Sequence, residues 1–153
     1  MKFMENLKKK KANNKGFSLV ELIIVIAIMA ILVGIVGTQV IPYLNRSREA
    51  KDLQILSAYS TAAVSAYSMQ AETVGTATVT VTVDASGTTD NISGGTNPVG
   101  TLIAELAGYT DIDAITWSSA KGEALTAITI EINPTAKTVT VSATGFEDVV
   151  SSI

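Results

Sequence analysis

The sequence predicts an α+β protein in which a long N-terminal helix, apolar in its first half and amphipathic in its second, packs on a small antiparallel sheet. An apolar run without charge covers residues 22–45, and a segment of helical periodicity without Gly or Pro covers residues 43–72. Later segments alternate apolar and polar side chains, which is the pattern of half-buried strands. The 153 residues suffice for one small domain and an appendage.

The charge is distributed unevenly along the chain. Residues 1–16 carry six Lys and one Glu, whereas the remaining residues carry five Lys or Arg and thirteen Asp or Glu. An acidic domain is a poor ligand for a phosphate backbone, which requires clustered cations. We therefore expect no direct nucleic-acid partner.

The composition also excludes most catalytic chemistry. The chain has no Cys and no His, so disulfides, thiolate nucleophiles, imidazole bases and the usual zinc sites are absent. No pair of catalytic carboxylates can be argued from the spacing of the acids. We therefore expect no enzyme, no catalytic residue, no metal site and no cofactor.

One polar loop offers oxygen atoms that calcium would accept as ligands, although their spacing does not fit an EF-hand. Solvated turns are the interpretation that we favour for this loop, and the pairs Asp111 with Asp113 and Glu147 with Asp148 give no better calcium site. The oxygen-bearing residues of the loop are Asp84, Ser86, Asp90 and Asn91.

The apolar run predicts a membrane-spanning helix. Its 24 uncharged residues, 22–45, are enough to cross a hydrocarbon layer of about 30 Å at about 1.5 Å per residue. The lysines before it predict a cytoplasmic N-terminus, so that the chain after Arg46 lies outside the cytoplasm.

Glu21 is the unusual residue of this region, because a carboxylate near an apolar helix is costly without a partner. A secretory signal would need a small-residue cleavage site near residues 36–42, which is absent. A plain signal-anchor explains the lysines and the helix, but not Glu21. Cleavage between Gly16 and Phe17 would create an ammonium group one helical turn from Glu21. The two groups could pair within one helix or, as we prefer, between subunits.

The segment Lys15-Gly16-Phe17-Ser18-Leu19-Val20-Glu21, followed by an apolar helix, resembles the class III signal peptide of type IV pilins and pseudopilins. The resemblance implies cleavage by a prepilin peptidase after Gly16 and N-methylation of Phe17. It also implies that Glu21 acts in filament assembly.

The same resemblance implies a pilin-like ladle fold and a homo-oligomeric helical filament. The implied partners are a prepilin peptidase, an assembly ATPase and a platform protein, with the cytoplasmic membrane holding the precursor before an extracellular pilus forms. Adhesion, aggregation or twitching motility would then be its roles. The alternatives are a pseudopilin of a type II secretion or competence system and a membrane-anchored surface domain that does not polymerise.

Three segments follow from this interpretation: a basic leader that is removed, a membrane-spanning and filament-core helix, and the amphipathic helix with a β-rich domain. Their predicted bounds are 1–16, 17–45 and 46–153. Many pilins have Pro near the middle of the apolar helix, whereas the first Pro here is Pro42. Gly34 and Gly37 lie upstream and allow either helix softening or close packing of helices.

The remaining elements are predicted by periodicity. The amphipathic helix of residues 43–72 should bury one face, and charged residues at 46–52 either mark the membrane boundary and pair between subunits or form a solvated turn. Residues 76–83 predict a strand, 84–100 an exposed loop, and 102–106 a short helix ended by Gly108. Residues 127–132 and 138–143 predict a hairpin with a turn between them.

Overall fold

A computed structural model describes residues 16–92 and 98–153 of the chain. The predicted leader therefore lies outside the described residues up to position 15, as does part of the predicted loop. The chain divides into two compact units, Met1–Pro42 and Tyr43–Ile153.

The described part of the first unit is helical from Leu19 onward. Helix α1 covers Leu19–Ile35, a π-helix covers Val36–Val40, and helix α2 (Ile41–Val74) begins directly after it. No residue of α1 is buried. By length and composition, Leu19–Val74 contains the one candidate membrane span in the described residues.

The second unit contains a five-stranded antiparallel sheet in the order β2-β1-β3-β4-β5. Two four-residue strands, β2 and β5, form its edges. The strands are β1 (Val79–Asp84), β2 (Gly87–Asp90), β3 (Ala127–Asn133), β4 (Thr138–Ala143) and β5 (Val149–Ser152).

The apolar face of the sheet is built in register from alternating residues. Val81 pairs with Ile130, which in turn pairs with Val141, and all three side chains are fully buried. The long helix packs on this face through α2 residues that recur every three or four positions, among them Leu56 and Ala63. The predicted α+β architecture is confirmed.

The segment between β1 and β3 differs from its prediction. The expected loop of residues 84–100 instead contains the hairpin partner β2, because Gly87 has a φ of +123° and closes a two-residue turn. Helix α3 is also longer than predicted and covers Pro98–Ala107. Gly108, at φ +83°, ends it as expected. A short 3₁₀ helix (Ile112–Ala114) and helix α4 (Ala120–Glu123) precede β3.

Tyr59 is the largest fully buried side chain of the core. Its ring lies 6.4 Å from that of Tyr109 between centroids, with 32° between the ring planes. The Tyr59 hydroxyl has no hydrogen-bond partner among the described residues. Burial raises the pKa of Tyr59, and the nearby Tyr109 and Asp111 raise it further.

Tyr59→Phe is therefore expected to stabilise the protein by about 1 kcal/mol, because it removes a buried hydroxyl without a partner. An unfolded tyrosine ionises near pH 10, while burial keeps the folded one neutral. Ionisation of the unfolded tyrosine destabilises only the wild-type fold. The difference in unfolding free energy between the Phe variant and wild type should thus grow as the pH rises through that value. Urea unfolding of the full chain in detergent at neutral and alkaline pH tests this, with Tyr43→Phe on an exposed tyrosine as the control. A Phe variant less stable than wild type would contradict it.

Candidate functional site

The predicted processing site lies at an exposed junction. Gly16 and Phe17 are exposed, and Phe17 keeps 86% of its surface accessible. Ser18 follows in an extended conformation and is the N-cap of α1. The peptide bond after Gly16 is thus in a non-helical segment that directly precedes the apolar helix, where a peptidase can reach it.

Glu21 closes the first turn of α1. Its Oε2 accepts a hydrogen bond of 2.8 Å from the backbone N–H of Ser18, and the Ser18 hydroxyl accepts one of 3.3 Å from Val20 N–H. This reciprocal arrangement is a capping box, in which a carboxylate and a hydroxyl satisfy helix N–H groups that lack partners. The Glu21 carboxylate is therefore held at the backbone N–H of Ser18. Ser18 directly follows Phe17, the residue on which cleavage would create an amino group.

The apolar side chains of α1 surround the helix on every side. Leucine, isoleucine and valine recur at nearly every position, and each exposes about half of its surface or more; examples are Ile23, Ile24, Ile28, Ile31 and Leu32. A helix that is apolar all round is stable only when lipid or other protein surrounds it. The exposed apolar surface of α1 therefore fits the anchor helix of a membrane-bound precursor.

Gly34 and Gly37, predicted either to soften the helix or to allow close packing, and the first proline, Pro42, lie in or next to the π-helix. Gly34 lies just before it, Gly37 within it and Pro42 just after it. Proline lacks an N–H group and its ring collides with the carbonyl four residues earlier, which here belongs to Thr38. The Thr38 hydroxyl donates to the Gly34 carbonyl oxygen at 3.1 Å. The π-helix, which is wider than an α-helix, therefore lies where Pro42 interrupts the α-helical hydrogen bonds.

The side-chain oxygens of the acidic and amide residues in the polar loop accept hydrogen bonds from backbone N–H groups. Asp84 accepts from the Ser86 N–H and hydroxyl, and these bonds lower the pKa of its carboxyl group. Asp90 accepts from the first N–H groups of α3, and Asn91 accepts from Thr80 N–H. In the described parts of the chain, no group of three or more acidic side chains is placed to hold a metal ion.

The charged segment after Pro42 contains one residue that neither prediction anticipated. Asp52 is fully buried instead of solvated, and it joins α2 to the segment before α4. Its oxygens accept from the N–H groups of Ser118 and Ser119 at 2.8 and 2.9 Å and from the Ser119 hydroxyl at 2.5 Å. Nearby, Glu49 pairs with Lys121 at 2.9 Å on the surface.

The burial of Asp52 has a signal in the sequence. Asp52 lies four residues before Leu56 and eight before Ser60, so helical spacing places it on the buried stripe. A carboxylate on a core-facing position requires several donors. The sequence does not show that Ser118 and Ser119 supply them, because those residues lie more than sixty positions later.

Residues 11–37 match the family model of the prokaryotic N-terminal methylation motif. Neither a curated protein nor a solved structure matches the chain at a significant level. The matched segment contains the Gly16–Phe17 junction, Glu21 and all of α1. The chain therefore carries the class III signal peptide of type IV pilins, a motif that supports a processed subunit of the pilin or pseudopilin kind.

Proposed function

We propose that this chain is the structural subunit of a type IV pilus. A prepilin peptidase cuts after Gly16, Phe17 becomes the methylated N-terminus, and the subunits polymerise through their N-terminal helices. The observation that carries the proposal is the apolar surface of α1, which has no buried residue, with a single carboxylate, Glu21, at its N-terminal end. No catalytic role is proposed for the subunit.

The Glu21 carboxylate is suited to a second partner. Its Oε2 is used by the Ser18 N–H group, whereas its Oε1 accepts no hydrogen bond from the described residues. In an apolar environment a hydrogen bond from an ammonium group stabilises this oxygen, and cleavage provides an ammonium group on every subunit. We propose that the Phe17 amine of a neighbouring subunit binds there and fixes the axial register. Its contribution is mainly to specificity, since a buried ion pair barely recovers its desolvation cost.

The α1 surface fits two successive environments. In the membrane, lipid covers its apolar side chains; in the filament, the helices of other subunits cover them. Exchanging lipid for protein gains little hydrophobic free energy, so close packing and the Glu21 pairing must direct assembly. An assembly ATPase and a platform protein extract the subunits. The Thr-rich domain then faces outward on the cell surface and serves adhesion, aggregation or motility.

Intact mass of the protein in sheared surface filaments tests this proposal. Wild-type filaments should contain a chain that begins at Phe17 and carries one additional methyl group. Glu21→Ala should be processed to the same N-terminus, but its recovery in filaments should fall about tenfold or more, because one buried ion pair is lost. Glu131→Ala, on an exposed strand position, is the matched control and should assemble normally.

The outcomes separate the candidate functions. An uncleaved chain found only in membranes would contradict the pilus proposal and leave a membrane-anchored surface domain. A processed, methylated chain that never appears in surface filaments would instead favour a pseudopilin, whose role is in secretion or DNA uptake. Glu21→Ala filaments at wild-type yield would show that the carboxylate has no part in assembly.

A further inference from the structure

A surface cleft of about 400 Å³ lies between the segment that begins with the 3₁₀ helix and the C-terminal end of α4 with the residues after it. Ile112, Ile115 and Leu125 form its buried apolar floor, and the half-buried Trp117 forms part of its wall. The exposed side chains of Asp113 and Glu123 stand at its rim. We call this site the Trp117 cleft.

The chemistry of the cleft suits a guanidinium group. An aromatic face attracts a cation, and a carboxylate beside it can accept two parallel N–H bonds from an arginine. Neither Asp113 nor Glu123 forms an ion pair within the part of the chain that the structure describes. An anion would be repelled by the two carboxylates, and an apolar ligand would form no interaction with them.

The same domain carries cations suited to the cleft. From residue 43 onward the chain has five basic and twelve acidic residues, and three of the five basic residues are clustered at Arg46, Arg48 and Lys51. Arg48 lies beside Glu49 and Lys121 in a smaller cleft. Arg46 is exposed and forms no ion pair with any described residue.

The direction of Arg46 favours a partner outside its own domain. Asp52 marks the side of α2 that faces the globular part, since its carboxylate binds Ser118 and Ser119. At about 100° per residue, Arg46 projects roughly 120° away from Asp52 around the helix. Its guanidinium therefore points away from the globular part and is accessible to a neighbouring molecule.

We propose that the Trp117 cleft of one copy binds the Arg46 side chain of a second copy. The guanidinium lies against the indole face and pairs with Glu123, while Asp113 adds to the negative potential. This contact is between globular parts and is distinct from packing of the apolar helices. It rests on the proposed polymerisation, and it explains why an acidic domain keeps a basic cluster at the start of its helix.

Charge exchange tests the pairing in filaments. Arg46→Glu and Glu123→Arg should each lower the recovery of processed protein in filaments by about tenfold, and the double variant should restore most of it, as for one ion pair of moderate strength. Lys137→Glu and Glu131→Arg reverse charges outside the cleft and should assemble like wild type. The pairing would be overturned if Arg46→Glu lowered filament recovery while Glu123→Arg alone did not, and if the double variant recovered no more protein than Arg46→Glu. That result would indicate another ligand for Arg46, such as anionic lipid headgroups.

Engineered cysteines test the geometry, because the natural chain contains none. Arg46→Cys combined with Thr116→Cys, at the exposed edge of the cleft, should give covalent dimers and higher ladders when the filaments that still form, at reduced yield, are oxidised with copper phenanthroline. Each single variant should give none. Filaments that form but yield only intramolecular bonds, or no bonds, would overturn this inference while leaving the pilus proposal intact. Wild-type cells without filaments would overturn both.

Discussion

Replacing Asp52 by Ala is expected to lower the free energy of unfolding of the globular unit by about 3 to 5 kcal/mol. The carboxylate is fully buried and accepts three hydrogen bonds from Ser118 and Ser119. Removing it leaves the N–H groups of two consecutive residues without an acceptor, and each such group costs about 1 to 3 kcal/mol. The Ser119 hydroxyl, which donates to Asp52, also accepts from Gly122 N–H and caps α4. Without Asp52, the hydroxyl loses the acceptor that orients it for this capping bond.

Urea unfolding of the full chain in detergent measures this effect, followed by the fluorescence of Trp117. This residue is the only tryptophan of the chain. Glu49→Ala is the matched control, since it removes a neighbouring carboxylate from an exposed ion pair and should cost less than about 1 kcal/mol. If Asp52→Ala also lowered the free energy of unfolding by less than about 1 kcal/mol, the prediction would be contradicted, and water would have to replace the carboxylate as the acceptor.

Gly122→Ala is expected to destabilise the protein by about 2 to 3 kcal/mol, as overpacking of a dense site does. In a helix this substitution normally stabilises by close to 1 kcal/mol. Here the added Cβ would lie 2.6 Å from Asp52 Oδ2 and 2.8 Å from Trp117 Cε3. The steric cost arises because α4 packs directly on the buried carboxylate and the indole.

A double-mutant cycle between Gly122→Ala and Asp52→Ala tests the cause. Removing the carboxylate relieves the closest contact, so the two losses should be less than additive. Ala120→Gly, on the exposed side of the same turn, gives the size of the propensity effect alone. A Gly122→Ala protein as stable as wild type would mean that Trp117 moves at no cost.

Local patterns predicted the strands that alternate strictly. β4 has the predicted bounds, and β3 and β1 differ from theirs by one to three residues. The two edge strands escaped prediction because each is only four residues long and neither alternates clearly: β2 reads Gly-Thr-Thr-Asp and β5 reads Val-Val-Ser-Ser. Pairing with a longer neighbour, which sequence periodicity does not reveal, holds them in the sheet.

The candidate site was predictable because it is local. The junction at Gly16 and Phe17, the carboxylate of Glu21 and the helix behind them lie within one short segment. The capping box was also visible in Ser18-Leu19-Val20-Glu21, which has the Ser-x-x-Glu spacing. Contacts between distant positions were not predictable, and the binding of Ser119 by Asp52 is the clearest example.

The two edge strands have a consequence for contacts between copies of this chain. An unpaired strand edge is a template for main-chain pairing with another molecule, and long edges lead to aggregation. The sheet ends at both sides in strands of only four residues, β2 and β5. Strands this short offer little main-chain surface for such pairing, so we do not expect two copies of the domain to join into one continuous sheet.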